Sequence, residues 1–166
     1  MNDQIAAYGL PAPIVRFPWQ RFSGQQDQGV TYLYVSKPAV ARVRGQSPIL
    51  YMGKTEQSIA KRVQDETRSN NTLGNTQNTN IRLSAVFAEL SGAGHSIETY
   101  FTQGLSFRPS PADRDAMLAI LQGWDKRAWI ELTRGGSAAA DLSIEKFMLC
   151  HYAAAHLELP PMNNSM

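Results

Sequence analysis

Hydrophobic and polar positions alternate most plainly along Gly29-Val30-Thr31-Tyr32-Leu33-Tyr34-Val35-Ser36, a β-branched and aromatic run closed by Lys37-Pro38. This pattern predicts a strand. Because side chains alternate across a strand, Val30, Tyr32 and Tyr34 share one face and Thr31, Leu33 and Val35 the other. A loop holding Arg42, Arg44, Gly45 and Gln46 leads past Pro48 to a second strand, Ile49 to Met52. The connection has no room for a crossover helix, so the two strands pair antiparallel. After Gly53, Ser58 is placed to cap a helix whose buried side carries Ile59 and Val63. Arg62 lies beside that stripe, and Glu66 stands at i+4, the spacing of an ordinary surface ion pair.

Residues Thr67 to Asn80 are mostly Asn, Thr, Ser and Gln, a long polar loop. Ile81, Leu83, Val86, Phe87 and Leu90 then recur at helical spacing until Gly92-Ala93-Gly94 stops the run. Ser96 to Thr102 reads as a third strand. Ser110-Pro111 opens a helix with Met117, Leu118 and Leu121 on its apolar side. Trp124 to Thr133 fits either more helix or a short strand, and Gly135-Gly136-Ser137 reads as a linker. Asp141 or Ser143 caps a last helix bearing Ile144, Phe147, Met148 and Tyr152, and Pro160-Pro161 forbids its continuation. Ahead of all this, residues 1–28 carry three prolines and the aromatics Phe17, Trp19 and Phe22, an irregular arm packed on the domain. The order of elements predicts an α+β fold in which a small antiparallel sheet is covered by helices.

Length and composition narrow this further. The 166 residues suit one domain with a real core, and 43% apolar against 18% charged residues is a globular balance. A lone cysteine, Cys150, fits a reducing compartment. No run approaches a membrane span, and Met1-Asn2-Asp3-Gln4 lacks the basic flank and apolar core of a signal peptide. The expectation is a cytoplasmic protein with no membrane partner. Net charge is only +2, but Lys37 to Arg68 holds seven basic residues against three acids, so positive charge gathers around the second strand and its helix.

Familiar catalytic patterns are missing. Cys150, His151 and His156 do not complete a zinc set, because histidines five apart do not share a helical face and no second pair exists. Gly92-Ala93-Gly94 lacks the flanking glycine and lysine of a phosphate-binding loop. There is no Gly-x-Ser-x-Gly. What remains is a constellation of tyrosines on neighbouring strands, an arginine on the following helix, and Glu145 in the first turn of the last helix, where an acid also suits the helix dipole. Spacing alone leaves the function open.

Tyr51-Met52-Gly53-Lys54-Thr55, followed by Ser58-Ile59-Ala60-Lys61-Arg62-Val63, resembles the second half of the GIY-YIG endonuclease motif, with Met52 in place of the isoleucine and Arg62 at the family's arginine. Tyr32-Leu33-Tyr34 sits where the first half belongs. Ile144-Glu145-Lys146-Phe147-Met148-Leu149 and Leu159-Pro160-Pro161-Met162-Asn163 resemble the family's closing glutamate helix and its terminal proline and asparagine. The resemblance spans residues 29–163 in order, with a longer loop at 67–80 and an insertion around 103–140. It implies a three-stranded antiparallel sheet flanked by helices over 29–166, and a metal-dependent endonuclease that hydrolyses DNA phosphodiesters.

The resemblance implies a magnesium or manganese cofactor held by Glu145. Arg62 would steady the scissile phosphate, and one tyrosine would orient or deprotonate the attacking water while another anchors the site. Tyr51 is one of these; the first-motif tyrosine is Tyr34, or Tyr32 if the register slips. Lys54, Lys61 and Asn163 would bind substrate. Many members carry a histidine or tyrosine four residues after the arginine, where this chain has Glu66, so either the general base is open or Glu66 is a substitute for it. With no separate DNA-binding domain in view, specificity falls to the insertion, the polar loop, a homodimer partner or another protein. The rival reading is a nucleic-acid-binding module that keeps the fold without catalysis.

Overall fold

The computed structural model describes residues 10–67, 78–124 and 141–163. Its centre is a hairpin of β2 (Val30–Ala41) and β3 (Gln46–Thr55), paired antiparallel. Both strands run longer than the apolar alternation alone predicts. On the other side of β2 lies β4 (Ser96–Gln103), also antiparallel. A short β1 (Gln20–Arg21) completes the sheet in the order β1-β4-β2-β3. The sheet therefore has four strands rather than the expected three. The extra strand, two residues long and set between Pro18 and a polar loop, is too short for any alternation to announce it.

Register in the hairpin puts Tyr34 opposite Tyr51, Tyr32 opposite Gly53 and Thr31 opposite Lys54. Beyond Tyr34 the pairing shifts, so that Val35 faces Ile49 and Leu50 is the extra residue of a bulge. In consequence Leu50 and Tyr51 both pack on one face of the sheet, while Ile49 and Met52 pack on the other.

Both faces of β2 are covered, as its uninterrupted burial from Val30 to Ser36 requires. Leu33 and Val35 belong to one apolar core with Trp19, Phe147, Met148 and Tyr152. Val30, Tyr32 and Tyr34 belong to the other, with Leu50, Ile59 and Phe87. The expected division of the strand's two faces is the observed one. The second core is roofed by α2 (Ile59–Thr67) and α3 (Asn78–Gly92). Ser58 caps α2, its Oγ accepting the Lys61 N–H at 3.2 Å. Because α3 begins at Asn78, the polar loop ends earlier than its composition suggests; residues 68–77 and the Ile81 side chain lie outside the described residues.

The first core is closed by the N-terminal arm, the segment that follows β4 and the last helix. A one-turn α1 (Ala12–Val15) buries Ile14, and Trp19 Nε1 donates to the Ile14 carbonyl at 2.6 Å. The segment after β4 holds β5 (Ser106–Phe107) and α4 (Pro111–Trp124), the latter burying Met117 and Leu121. Arg16 joins the arm to α4, pairing with Asp113 at 2.6 Å and lying over the Phe107 and Phe147 rings. The alternatives for residues 125–133 and the Gly135-Gly136-Ser137 linker lie outside the described residues. β6 (Leu142–Ser143) then pairs with β5 and leads directly into α5 (Ile144–His156), with Ser143 as its cap. Among the described residues no helix is long and apolar enough to cross a membrane.

Candidate functional site

Three tyrosines meet over Gly53. Since Tyr34 faces Tyr51 and Tyr32 faces Gly53, the three rings crowd one patch of the sheet. Tyr34 stacks on Tyr51 with centroids 5.8 Å apart, and Tyr32 lies 5.5 Å from Tyr34 and 5.9 Å from Tyr51. Phe87 of α3 closes against the Tyr34 ring edge-on at 4.9 Å. Gly53 makes this possible: a Cβ there would stand 2.6 Å from Tyr51 Cε1 and 2.8 Å from Tyr32 Oη. A side chain there would force the Tyr51 and Tyr32 rings to move. Tyr32 and Tyr34 are fully buried, and Tyr51 keeps partial access to solvent.

Beneath them lies Glu66. The helical spacing from Arg62 predicts an exposed ion pair, yet Glu66 is 1% exposed. It faces the sheet because α2 turns its Ile59 and Glu66 side onto the tyrosines. Tyr32 Oη donates to Glu66 Oε1 at 2.8 Å and Tyr34 Oη donates to Oε2. Arg62 Nε is 3.7 Å from Oε1 and has no hydrogen-bond partner among the described residues. Two phenol hydrogen bonds and a neighbouring guanidinium offset the cost of burying the carboxylate, which otherwise disfavours its charged form.

The electrostatics follow from that burial. Glu66 is raised above the usual carboxylate range by desolvation, against the pull of the Tyr34 and Tyr32 hydrogen bonds and Arg62. Tyr32 and Tyr34 are pushed well above 10, by burial first and the Glu66 charge second. For Tyr51 the same two causes, joined by the Glu145 charge, push the phenol up to about 12. Desolvation works against the Arg62 charge, but the surrounding phenols and Glu66 outweigh it and hold the guanidinium protonated. At neutral pH the phenols keep their protons, and Glu66 is the basic group of this cluster.

Glu145 arrives from the far end of the chain. Gly104, at φ +93°, turns the chain out of β4, and Ile144 N–H donates to the Leu105 carbonyl at 3.0 Å. With β5 paired to β6, the first turn of α5 is fixed beside that exit. Glu145 Oε2 then lies 3.9 Å from Lys54 Nζ. Its carboxyl is raised by burial, against the charges of Lys54, Lys146 and Arg62, and it acts in turn on Tyr51. Next to this pair an open groove of about 420 Å³ is lined by Lys54, Thr55, Glu56, Gln57, Arg62 and Leu105. Lys54 and Arg62 thus line one groove, with Glu145 beside Lys54 and within electrostatic reach of Tyr51 and Arg62.

Other expected residues go elsewhere. Asn163 does not reach into the groove: its Oδ1 accepts the Met52 N–H at 3.0 Å and its Nδ2 donates to the Met52 carbonyl at 2.8 Å. With Met162 N–H donating to Leu50 at 3.0 Å, the chain end lies along β3, so Asn163 sets the position of the strand that carries Tyr51. Lys61 is exposed on α2 outside the groove lining. Cys150 is core, and His151 and His156 pack on Phe147 and Tyr152. Spacing gave no sign of Glu66's interior place; only its position four residues after the arginine, where the family resemblance expects a histidine or tyrosine, hinted at it.

No group of three or more His, Cys, Asp or Glu side chains forms a cation cage among the described residues. The fit to a divalent cation therefore rests on Glu145, whose side chain is 21% exposed beside Lys54. One carboxylate completed by water and substrate phosphate is an ordinary arrangement for magnesium. Glu66 is 1% exposed, with each of its oxygens accepting from a phenol, and does not line the groove. Comparison with family models, curated proteins and solved structures finds no significant match for this chain.

Proposed function

We propose that the chain is a GIY-YIG-type endonuclease that hydrolyses DNA phosphodiesters with magnesium or manganese. The observation that carries this reading is that Lys54 of the strand and Arg62 of the helix line one groove while Glu145, from the opposite end of the chain, lies beside Lys54 and within electrostatic reach of Tyr51 and Arg62. Two cations suit a phosphate, and a partly exposed carboxylate beside them suits a hard metal ion. The cation, when bound by Glu145, supplies Lewis-acid stabilisation of the phosphoryl oxygens and a more acidic water. Arg62, held from behind by Glu66, presents its guanidinium to the groove, where it offsets charge developing on phosphorus. Lys54, half-exposed at 53%, draws the DNA backbone in, and Tyr51 stands at the edge to orient the attacking water.

The test is incubation of supercoiled plasmid with the purified protein, with and without magnesium, beside Glu145→Ala. Nicking or linearisation by the parent protein that needs the metal and falls at least 100-fold in the variant is expected. Equal cleavage by both proteins overturns the assignment of Glu145. The complete burial of Tyr32 and Tyr34 favours a second reading, a module that binds nucleic acid without cutting it. On that reading DNA is bound without metal, binding weakens with salt, and no substrate is cleaved.

A further inference from the structure

The corner between β3 and α2 brings to the groove two polar side chains that the fold itself does not use. Glu56 and Gln57 line it beside Lys54 and Arg62, and among the described residues neither side chain makes a hydrogen bond or an ion pair. Their backbone, by contrast, is fixed. Thr55, buried at the end of β3, donates through Oγ1 to the Gln57 carbonyl at 3.3 Å. On the helix side Ser58 Oγ accepts the Lys61 N–H at 3.2 Å, and Ile59 N–H donates to the Asp27 carbonyl at 2.8 Å. Gln57 is also half-buried, so its side chain gives up less freedom when it engages a ligand.

Charge sorts the groove into two parts. A phosphate suits Lys54 and Arg62, whereas the Glu56 carboxylate repels one, so the corner is left to an uncharged part of the nucleotide. Leu105 adds an apolar wall, and the groove's 420 Å³ falls within the about 300–1,000 Å³ of sites that hold small organic groups. A glutamine amide sets an acceptor beside a donor, which matches the N6–H and N7 of adenine in the major groove. Guanine shows two acceptors there and thymine its O4, edges that a carboxylate repels; cytosine, with its N4–H donor, is tolerated. Resting on the nuclease reading above, we infer that Gln57 reads an adenine beside the scissile phosphate, with Glu56 holding off guanine and thymine. Neither side chain takes part in breaking the bond. Together they select which phosphate is presented to Arg62 and Lys54, a source of specificity inside the fold itself.

The experiment is cleavage of a pool of random-sequence duplex DNA by the full chain with saturating magnesium, followed by sequencing of the cut ends, for the parent protein, Gln57→Ala, Gln57→Arg and Glu56→Ala. Base frequencies at each position beside the cut are relative counts, so they do not depend on how fast a variant cuts. The parent should show adenine enriched over guanine and thymine at one fixed position by about fivefold or more, the low end of what a bidentate base contact supplies. Gln57→Ala should reduce that enrichment to below about twofold, and Glu56→Ala should raise the guanine count there by about threefold or more. Gln57→Arg should turn the preference at the same position towards guanine, because a guanidinium donates to both guanine acceptors. A merely structural role for the corner would not exchange one base for another. Cleavage by the parent with no adenine preference, a preference that survives Gln57→Ala, or a Gln57→Arg profile identical to the parent's overturns the base-reading role alone. Absence of cleavage by the parent protein overturns the nuclease reading and the base-reading role together.

Discussion

Replacing Gly53 by alanine probes the tyrosine cluster with a single methyl group. The added Cβ would meet Tyr51 Cε1 at 2.6 Å and Tyr32 Cζ at 2.8 Å, whereas ordinary contact begins near 3.4 Å. The two rings must therefore retreat by about 0.6–0.8 Å, the difference between those distances. Tyr32 has little room to do so, being fully buried with the Tyr34 ring 5.5 Å behind it and its hydroxyl held by Glu66. Overpacking of this kind costs about 1–3 kcal/mol. Taking about 2 kcal/mol, and about 2–4 °C per kcal/mol for a chain of this size, the melting temperature should fall by about 4–8 °C. Thermal unfolding followed by far-UV circular dichroism reads the loss, and the near-UV tyrosine bands report the displaced rings. Tyr51→Leu, which removes one of the two clashing rings, should recover part of the loss when combined with Gly53→Ala. A variant that melts within 1 °C of the parent with an unchanged near-UV spectrum would refute the argument.

Two further outcomes test other parts of the molecule. Asn163→Ala removes both hydrogen bonds to the Met52 backbone, each worth about 1 kcal/mol net, so urea unfolding should show a loss of about 2 kcal/mol; an unchanged midpoint contradicts the role given to Asn163. Asp113 is held down to about 2, first by hydrogen bonds from the Arg16 guanidinium and then by those from Ser110, against opposing desolvation. A depressed carboxyl lends stability that is present above its ordinary value of 3.8 and lost as pH falls towards about 2. Asp113→Asn should therefore flatten the stability profile between pH 4 and 2, and a profile as steep as the parent's speaks against the Arg16–Asp113 link.

Much of the framework was written in local pattern. The alternation from Val30 to Val35 assigned each side chain to its face, and the Ser110-Pro111 and Ser143 caps marked two helix starts. Tyr32 and Tyr34 were expected on one face, and their meeting with Tyr51 follows from the antiparallel register. Less legible were features set by tertiary packing. A bulge at Leu50 leaves no mark on a run of four apolar residues. Glu66 carries the spacing of a surface ion pair, and only the packing of α2 by its Ile59 and Glu66 side turns it inward. The place of Asn163 in the chain, like the family's terminal asparagine, points to a substrate ligand and gives no sign of the two hydrogen bonds its amide makes to the Met52 backbone. Arg16 and Asp113 lie too far apart in sequence for any periodicity to join them.

The seating of Met162 and Asn163 along β3 has a consequence for how this sheet meets other molecules. β3 is an outermost strand, and such a strand offers unpaired backbone to any extended chain that approaches it. Here the Leu50 carbonyl is taken by Met162, and the Met52 N–H and carbonyl are taken by one asparagine side chain acting as a surrogate strand. The middle of the edge is thereby closed to intermolecular pairing, and the opposite edge is only two residues long. Removing residues 160–166 should expose that backbone and drive edge-to-edge association, visible as larger species in size-exclusion chromatography. The tail that holds Tyr51 in register is, by the same three hydrogen bonds, a guard against aggregation.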